Sequence, residues 1–321
     1  MKMANIEKLN KAVDSVLLSI NEFKKALNEY SQENSKTEPA ILASQNDTKP
    51  LNVSTSFSDF ESLKTALMSD KWAEAVNPNL ICNPENEEEK LERGRGIIEL
   101  IIDEDLKDLK FLDYGCGEGQ SAFVATEYEP TLSVGYDIKS KDKWKEFQNE
   151  KLIITDNYDK VVENGPYDVI LLFDVIDHIS NESPTYLLNK LKDLLTDTGK
   201  IYIRCHPFIS KHGTHLYHEL NKAYVHLVFT NDEIKTILPD SKYQEKNIGV
   251  IYPVKTYRGW FKDSDLNVLN ERIYEEKPVP PFFKIPKIAE RILQNTGTNQ
   301  FPEYQMGLMF VDYTLSKNPK S

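Results

Sequence analysis

The sequence predicts an α/β fold with a parallel, doubly wound sheet, and three features of its 321 residues carry that prediction. The stretch KFLDYGCGEGQSAF, Lys110 to Phe123, is a short apolar run with an acid at Asp113, then alternating glycines, then helix-compatible sequence. That is the pattern of a strand turning tightly into a helix. Glycines at 115, 117 and 119 let the backbone bend and approach a nucleotide-like ligand, because no Cβ stands in the way. YDVILLFDV, Tyr167 to Val175, is almost continuously apolar, as suits a strand covered on both faces. Around these two stretches strands and helices alternate, which makes the strands parallel and places a ligand at their carboxyl ends.

A 40% hydrophobic content supports one good core with appendages. The formal net charge of -12 argues against nonspecific binding to nucleic acid or an anionic membrane, which both reward a basic surface. Cys82, Cys116 and Cys205 are far apart and odd in number, with neither disulfide nor metal spacing, and point to a reducing cytoplasm. Cys116, inside the glycine loop, is read as a small side chain packed near a ligand rather than as a nucleophile. Met1 to Tyr30 does not have the form of a signal peptide, and no apolar run is long enough to span a bilayer, so no membrane partner is expected.

In chain order, residues 1–32 predict an amphipathic, coiled-coil-like helix. Ile6, Leu9, Val13, Val16, Ile20, Phe23, Leu27 and Tyr30 keep a three-four spacing, a narrow seam that fits a second copy of the chain or a partner helix. Residues 33–57 are polar, with two prolines, and read as a flexible linker. Residues 58–108 predict a helical cap: Ser58 to Trp72 with Phe60, Leu63, Leu67 and Trp72 buried, a turn-rich loop at Asn77 to Asn86, and a helix from Glu87 to Ile102. The main domain is expected at 109–321. Its strands are predicted at Leu132 to Lys139, Lys151 to Asp156, Tyr167 to Val175 and Lys200 to Cys205, with a helix at Pro184 to Leu195 and a turn at Thr196 to Gly199. Thr230 and Glu233 form a capping box that opens a helix over Asn231 to Ile237. A later strand is expected at Tyr243 to Val254, paired antiparallel with a last one at Met306 to Leu315. Between them an insertion at about 255–305, with a short helix at Ile288 to Gln294, reads as a lid, a substrate wall or an interface.

The glycine loop alone leaves its ligand open. The frame starting at Gly117 satisfies GxGxxA with Ala122, which fits a dinucleotide, whereas the frame from Gly115 has Gln120 in place of a third glycine. The ordered set of LDYGCGEG, Asp137 ending the second strand, Asp156 after the third, FDVIDHI at the fourth and LLTDTGKIYI beyond it resembles the class I S-adenosylmethionine-dependent methyltransferases over roughly Glu89 to Leu315. That resemblance implies a Rossmann-like seven-stranded sheet, mostly parallel with an antiparallel last strand, and S-adenosyl-L-methionine as cofactor. This cofactor has hydroxyls, an adenine amine and a methionine tail but no pyrophosphate, so carboxylates serve it well. The resemblance implies Gly115, Gly117 and Gly119 around it, Asp137 on the ribose hydroxyls, Asp156 on the adenine amine, and Asp113 at the methionine end or ordering the loop. It also implies Phe173 and Asp174 facing the site from below. The other reading of each acid is a helix cap or a solvated strand end.

A narrower likeness concerns Asp174-x-x-Asp177-His178. It resembles the Glu-x-x-Glu-His that O-methyltransferases of the ubiquinone pathway and small-RNA 2′-O-methyltransferases place after the fourth strand to hold a divalent metal, with His226 standing where the RNA group has a further histidine. This implies Mg²⁺ on Asp174, Asp177, His178 and His226, lowering the pKa of a substrate hydroxyl. Both acids are a methylene shorter than in that pattern, and the Phe-Glu-Trp element is missing. The alternative is that Asp177 and His178 cap the next helix and shape a pocket. His206, His212, His215, His218 and His226 cluster just after the fifth strand, where this fold presents substrate-binding groups; no cysteine or metalloprotease pattern supports zinc there. His206 is the first candidate for the general base and His178 the second, beside Asp174. The segment is also similar to methyltransferases encoded by bacteriophages. The expected reaction is methyl transfer to an oxygen of a small molecule, with an RNA end or nucleotide as the other acceptor, or a non-catalytic assembly role as the alternative.

Overall fold

The computed structural model describes residues 60–76, 86–147, 149–179, 183–211, 213, 216–241, 254–275 and 278–317. They belong to the second of two units, residues 56–321, into which the chain divides. The helix expected at 1–32, with its second copy or partner helix, the linker at 33–57 and Cys82 lie outside the described residues. So does nearly all of the strand expected at Tyr243 to Val254.

Seven strands form one sheet: β1 (Lys110–Tyr114), β2 (Leu132–Tyr136), β3 (Leu152–Thr155), β4 (Tyr167–Phe173), β5 (Leu195–Cys205), β6 (Leu266–Glu275) and β7 (Leu308–Lys317). Their order is β3-β2-β1-β4-β5-β7-β6. The strands from β1 to β5 pair parallel, and β7 runs antiparallel to both β5 and β6. The mostly parallel sheet with an antiparallel last strand is therefore what forms. Alternation along the strands sorts side chains between two faces. Phe111, Val169 and Leu171 pack beneath the helix Glu87–Ile101. Leu112, Ile170 and Leu172 join Leu187, Leu188 and Leu191 of the helix Pro184–Leu194 on the other face. Covered twice, β4 has no reason to alternate in sequence, which is why it reads as an unbroken apolar run.

Two expectations about the second half are corrected. The sixth strand is Leu266–Glu275, inside the stretch expected to be an insertion at about 255–305, and it follows a helix Val254–Asp263. Most of its residues are exposed or half-buried because it is the sheet's edge, so no apolar period marks it. The turn expected at Thr196 to Gly199 is drawn into β5, which pairs Leu195 with Tyr167 across a register irregularity.

Helices are labelled α1 (Phe60–Leu67), α2 (Glu87–Ile101), α3 (Gln120–Ala125), α4 (Tyr158–Asn164), α5 (Pro184–Leu194), α6 (Val225–Val228), α7 (Asn231–Ile237), α8 (Val254–Asp263), α9 (Pro286–Thr296) and α10 (Glu303–Met306). The capping box at Thr230 and Glu233 is present on α7, and the Asn86 side chain caps α2 by accepting from Glu89 N. None of the helices among the described residues is long and apolar enough to cross a membrane.

A second core stands apart from the sheet. It gathers α1, Trp72, the segment after β5 and the stretch from Val279 to Met306. Trp72 is its hub: 1% exposed, it donates from Nε1 to Ala223 O at 2.8 Å and packs on Phe229, Phe282 and Phe283 with ring centroids 5.8, 5.1 and 5.5 Å away. Trp72→Ala is expected to cost about 3–5 kcal/mol, the range for emptying a buried aromatic site. Chemical denaturation would show it as a lower midpoint.

Candidate active site

The glycine loop leaves β1 at Tyr114 and enters α3 at Gln120. Gly115, Gly117 and Gly119 have φ of +85°, +56° and +93°. A Cβ at Gly115 would meet Val175 Cγ2 at 2.5 Å, and one at Gly119 would meet Ile154 Cδ1 at 2.7 Å, whereas at Gly117 it would meet nothing within 4 Å. The first and third glycines are thus required by packing as well as by φ, and the second faces open space. Hydrogen bonds fix the loop to its surroundings. Gly115 N and Cys116 N donate to Tyr136 O at 2.7 and 2.9 Å, Gly117 N to Asp137 Oδ2 at 3.0 Å, and Trp144 Nε1 to Gly117 O at 3.0 Å. Cys116 is packed, and burial with the charges of Asp113 and Asp137 raises its thiol pKa, so it stays protonated and fits the packing role.

A cavity of 470 Å³ opens between this loop, α2 and the end of β4. Its walls include Asp113, Phe173 and Asp174 together with Lys90, Arg93 and Gly94 of α2. No motif in the sequence singles out these α2 residues, although the helical block to which they belong is expected to cover one edge of the domain and close over a ligand. One signal was available: a glycine inside a helix costs about 1 kcal/mol relative to alanine. At Gly94 a Cβ would stand 3.4 Å from the backbone of Gln120, an ordinary contact, so α2 packs against the start of α3 with room there for little more than a methyl group. Lys90 pairs with Glu118 of the loop at 2.9 Å and with Glu87 at 3.3 Å, while the Arg93 guanidinium lies 5.5 Å above the Phe173 ring.

The three acids differ in burial and in partners. Asp113 is 4% exposed, and burial together with the charge of Asp137 raises its pKa to about 7. Asp137, half-buried, accepts from Gly117 N with one oxygen and from Lys139 N at 3.1 Å with the other. Two carboxylate oxygens have about four acceptor sites, so hydroxyl donors can still be met. Asp156 is exposed beyond β3, and neither it nor Asp137 is among the residues that line the cavity. A backbone cradle with carboxylates at the ends of β1 and β2 suits a ligand of hydroxyls and amines, and so fits S-adenosylmethionine.

Beyond Phe173 the chain turns sharply. Asp174 has φ +54°, the left-handed region that aspartate tolerates better than most residues, and its N–H donates to Arg204 O at 3.2 Å. The turn sets Asp174 Oδ1 3.1 Å from Nε2 of His206, which follows β5 and is 5% exposed. Asp174 is on the cavity wall and His206 stands behind it. Burial opposes a charged imidazole here, but the charge and hydrogen bond of Asp174 and the charge of Asp177 prevail, and the His206 pKa is raised. Asp174, Asp177 and His206 bring their ligand atoms within 4.8 Å of one another. Beside them Arg204 is matched by Asp312 through bonds of 2.6 and 2.7 Å.

His226 does not belong to this group, which corrects its expected place in a metal set. Its Nε2 bonds Phe208 O at 2.8 Å, and burial pushes its pKa down to about 4, so it is a neutral clamp on the loop after β5. The side chains of His178, His212, His215 and His218 lie outside the described residues.

A family described as "Methyltransferase domain" matches residues 85–271, more than half of the chain. No curated protein matches. Among solved structures, a methyltransferase from Listeria monocytogenes is 13% identical with a TM-score of 0.42, covering 70% of this chain and 98% of its own. Magnesium protoporphyrin IX methyltransferase from Synechocystis is 13% identical with a TM-score of 0.43, covering 74% and 90%. Coclaurine N-methyltransferase is 15% identical with a TM-score of 0.44, covering 80% and 86%.

Proposed function

Because this chain belongs to the methyltransferase-domain family and is an S-adenosylmethionine-dependent enzyme, we propose that it methylates a hydroxyl oxygen of a small molecule seated against Asp174. The observation that carries this reading is the Asp174–His206 pair, at 3.1 Å, in which Asp174 lines the cavity beyond the glycine loop and His206 backs it. Bound in that cavity, the cofactor supplies a methyl group on a sulfonium, already a good leaving group, so alignment, exclusion of water and proton uptake are left to the chain. The glycine loop and Asp137 hold the nucleoside part, Asp113 takes the methionine ammonium, and Arg93 supplies positive charge for its carboxylate. Asp174 would accept the hydroxyl proton as the acceptor oxygen bonds to the methyl carbon and the sulfur–methyl bond breaks, leaving S-adenosylhomocysteine, and His206 would set the proton affinity of the pair.

A second reading is favoured by the convergence of Asp174, Asp177 and His206: a divalent cation held by those three, in place of the set expected with His226. One imidazole among carboxylates suits Mn²⁺ or Zn²⁺ better than Mg²⁺. Incubation with methyl-labelled cofactor and fractionated cell extract tests the main reading. Label is expected in the small-molecule fraction and at an undiminished rate after dialysis against EDTA. Label in RNA or nucleotides would replace the acceptor, a rate restored only by Mn²⁺ or Zn²⁺ would favour the cation, and no label in any fraction would leave a cofactor-binding assembly protein.

A further inference from the structure

We propose that Asp177 and Tyr257 are positioning residues that pin the main chain of His206 and so hold the Asp174–His206 pair in register with the acceptor; this rests on the reading of that pair as the base. His206 is the first residue past the ladder of β5, whose last pairings are Arg204 with Phe173 and Cys205 with Val311. The sheet therefore no longer fixes its backbone. Side chains take over: the His206 N–H donates to Asp177 Oδ2 at 3.3 Å, and its carbonyl accepts from the Tyr257 hydroxyl at 3.3 Å. The ring meets Phe310 edge-on at 4.8 Å and Asp174 through Nε2. Four handles of one residue are thus held by four places in the fold: the turn Ile176–His178, α8, β7 and the end of β4.

Asp177 and Tyr257 are both fully buried, at 0% exposure. A buried carboxylate is a costly partner for a main-chain N–H, since its charge must be taken out of water. A neutral side chain would serve if the only need were to end a strand. Here the carboxylate also faces an imidazole whose position matters, and the chain beyond His206 runs straight into the second core, so any shift of that core would be transmitted to the ring. A displacement of about 1 Å at a catalytic group is enough to lower a rate by about 10²-fold.

The test uses the full chain, with the extract fraction that takes up label as acceptor and S-adenosylhomocysteine as the binding probe. Asp177→Ala is expected to lower kcat by roughly 10–100-fold, with apparent KM and probe affinity within about twofold of the parent. Asp177→Asn, whose amide oxygen can still accept from the His206 N–H, is expected to recover kcat to within about fivefold, and Tyr257→Phe to lower it about tenfold. His206→Gln is run in parallel. If it retains parental turnover, the base reading falls; if it is impaired while Asp177→Ala and Tyr257→Phe keep parental kcat, positioning alone falls. Loss of probe affinity in step with kcat would also overturn positioning, as would an asparagine variant no better than alanine. Should Asp177→Ala not fold, Tyr257→Phe decides by the same criteria.

Discussion

His206→Gln is expected to lower turnover by roughly 10²–10⁴-fold, the usual contribution of a positioned acid–base group, while S-adenosylhomocysteine affinity stays within about twofold. The two effects separate because His206 stands behind Asp174 and does not line the cavity that the glycine loop borders. Glutamine keeps an amide able to bond Asp174 but cannot take up a proton at neutral pH. Asp174→Asn is the companion variant, and it is chosen because asparagine also tolerates the left-handed φ of +54° at this position. If the two side chains act as one proton acceptor, the double variant is scarcely slower than either single one, since removing half of a unit already removes its action. Multiplying losses would instead assign the residues separate roles. Parental turnover in both single variants would remove the pair from the chemistry.

Much of the frame was legible because it rests on local signals. The strand–glycine–helix turn at 110–123, the unbroken β4 and the capping box at Thr230 each carry a pattern that sequence alone displays, and each forms as read. β6 was missed because an exposed edge strand buries too little to impose a period. In the site, the acids at the strand ends are legible in the sequence, but their surroundings are not. Asp113 is buried, Asp137 half-buried and Asp156 exposed, differences that depend on what the assembled elements cover and that no local motif describes. The pairing of Asp174 with His206 joins residues 32 positions apart through adjacent parallel strands, a register that only the assembled sheet fixes. His226 is expected in a metal set because it stands where the small-RNA methyltransferases have a further histidine, but matching a motif position does not fix where the ring points, and here it bonds Phe208 O.

Cofactor affinity and the stability of the free protein are expected to move in opposite directions with pH, and both through Asp113. Its pKa is raised from 3.8 to about 7 by burial and by the charge of Asp137. Between about pH 4 and 7 the folded protein holds this proton and the unfolded chain does not, so the group's contribution to stability falls as pH rises through that window and then levels off. The change is on the order of a few kcal/mol. Binding runs the other way. A methionine ammonium is charged throughout that window and prefers the ionised carboxylate, so S-adenosylhomocysteine affinity should rise by up to about tenfold per pH unit below 7 and flatten above it. Calorimetry at pH 5, 6, 7 and 8, paired with thermal unfolding of the free protein, reads both trends. In Asp113→Asn both slopes should vanish, with free-protein stability gained at pH 8 and affinity held near the value the parent shows at low pH. An affinity that stays flat in the parent while the stability slope persists would mean that Asp113 orders the glycine loop and leaves the ammonium to another group.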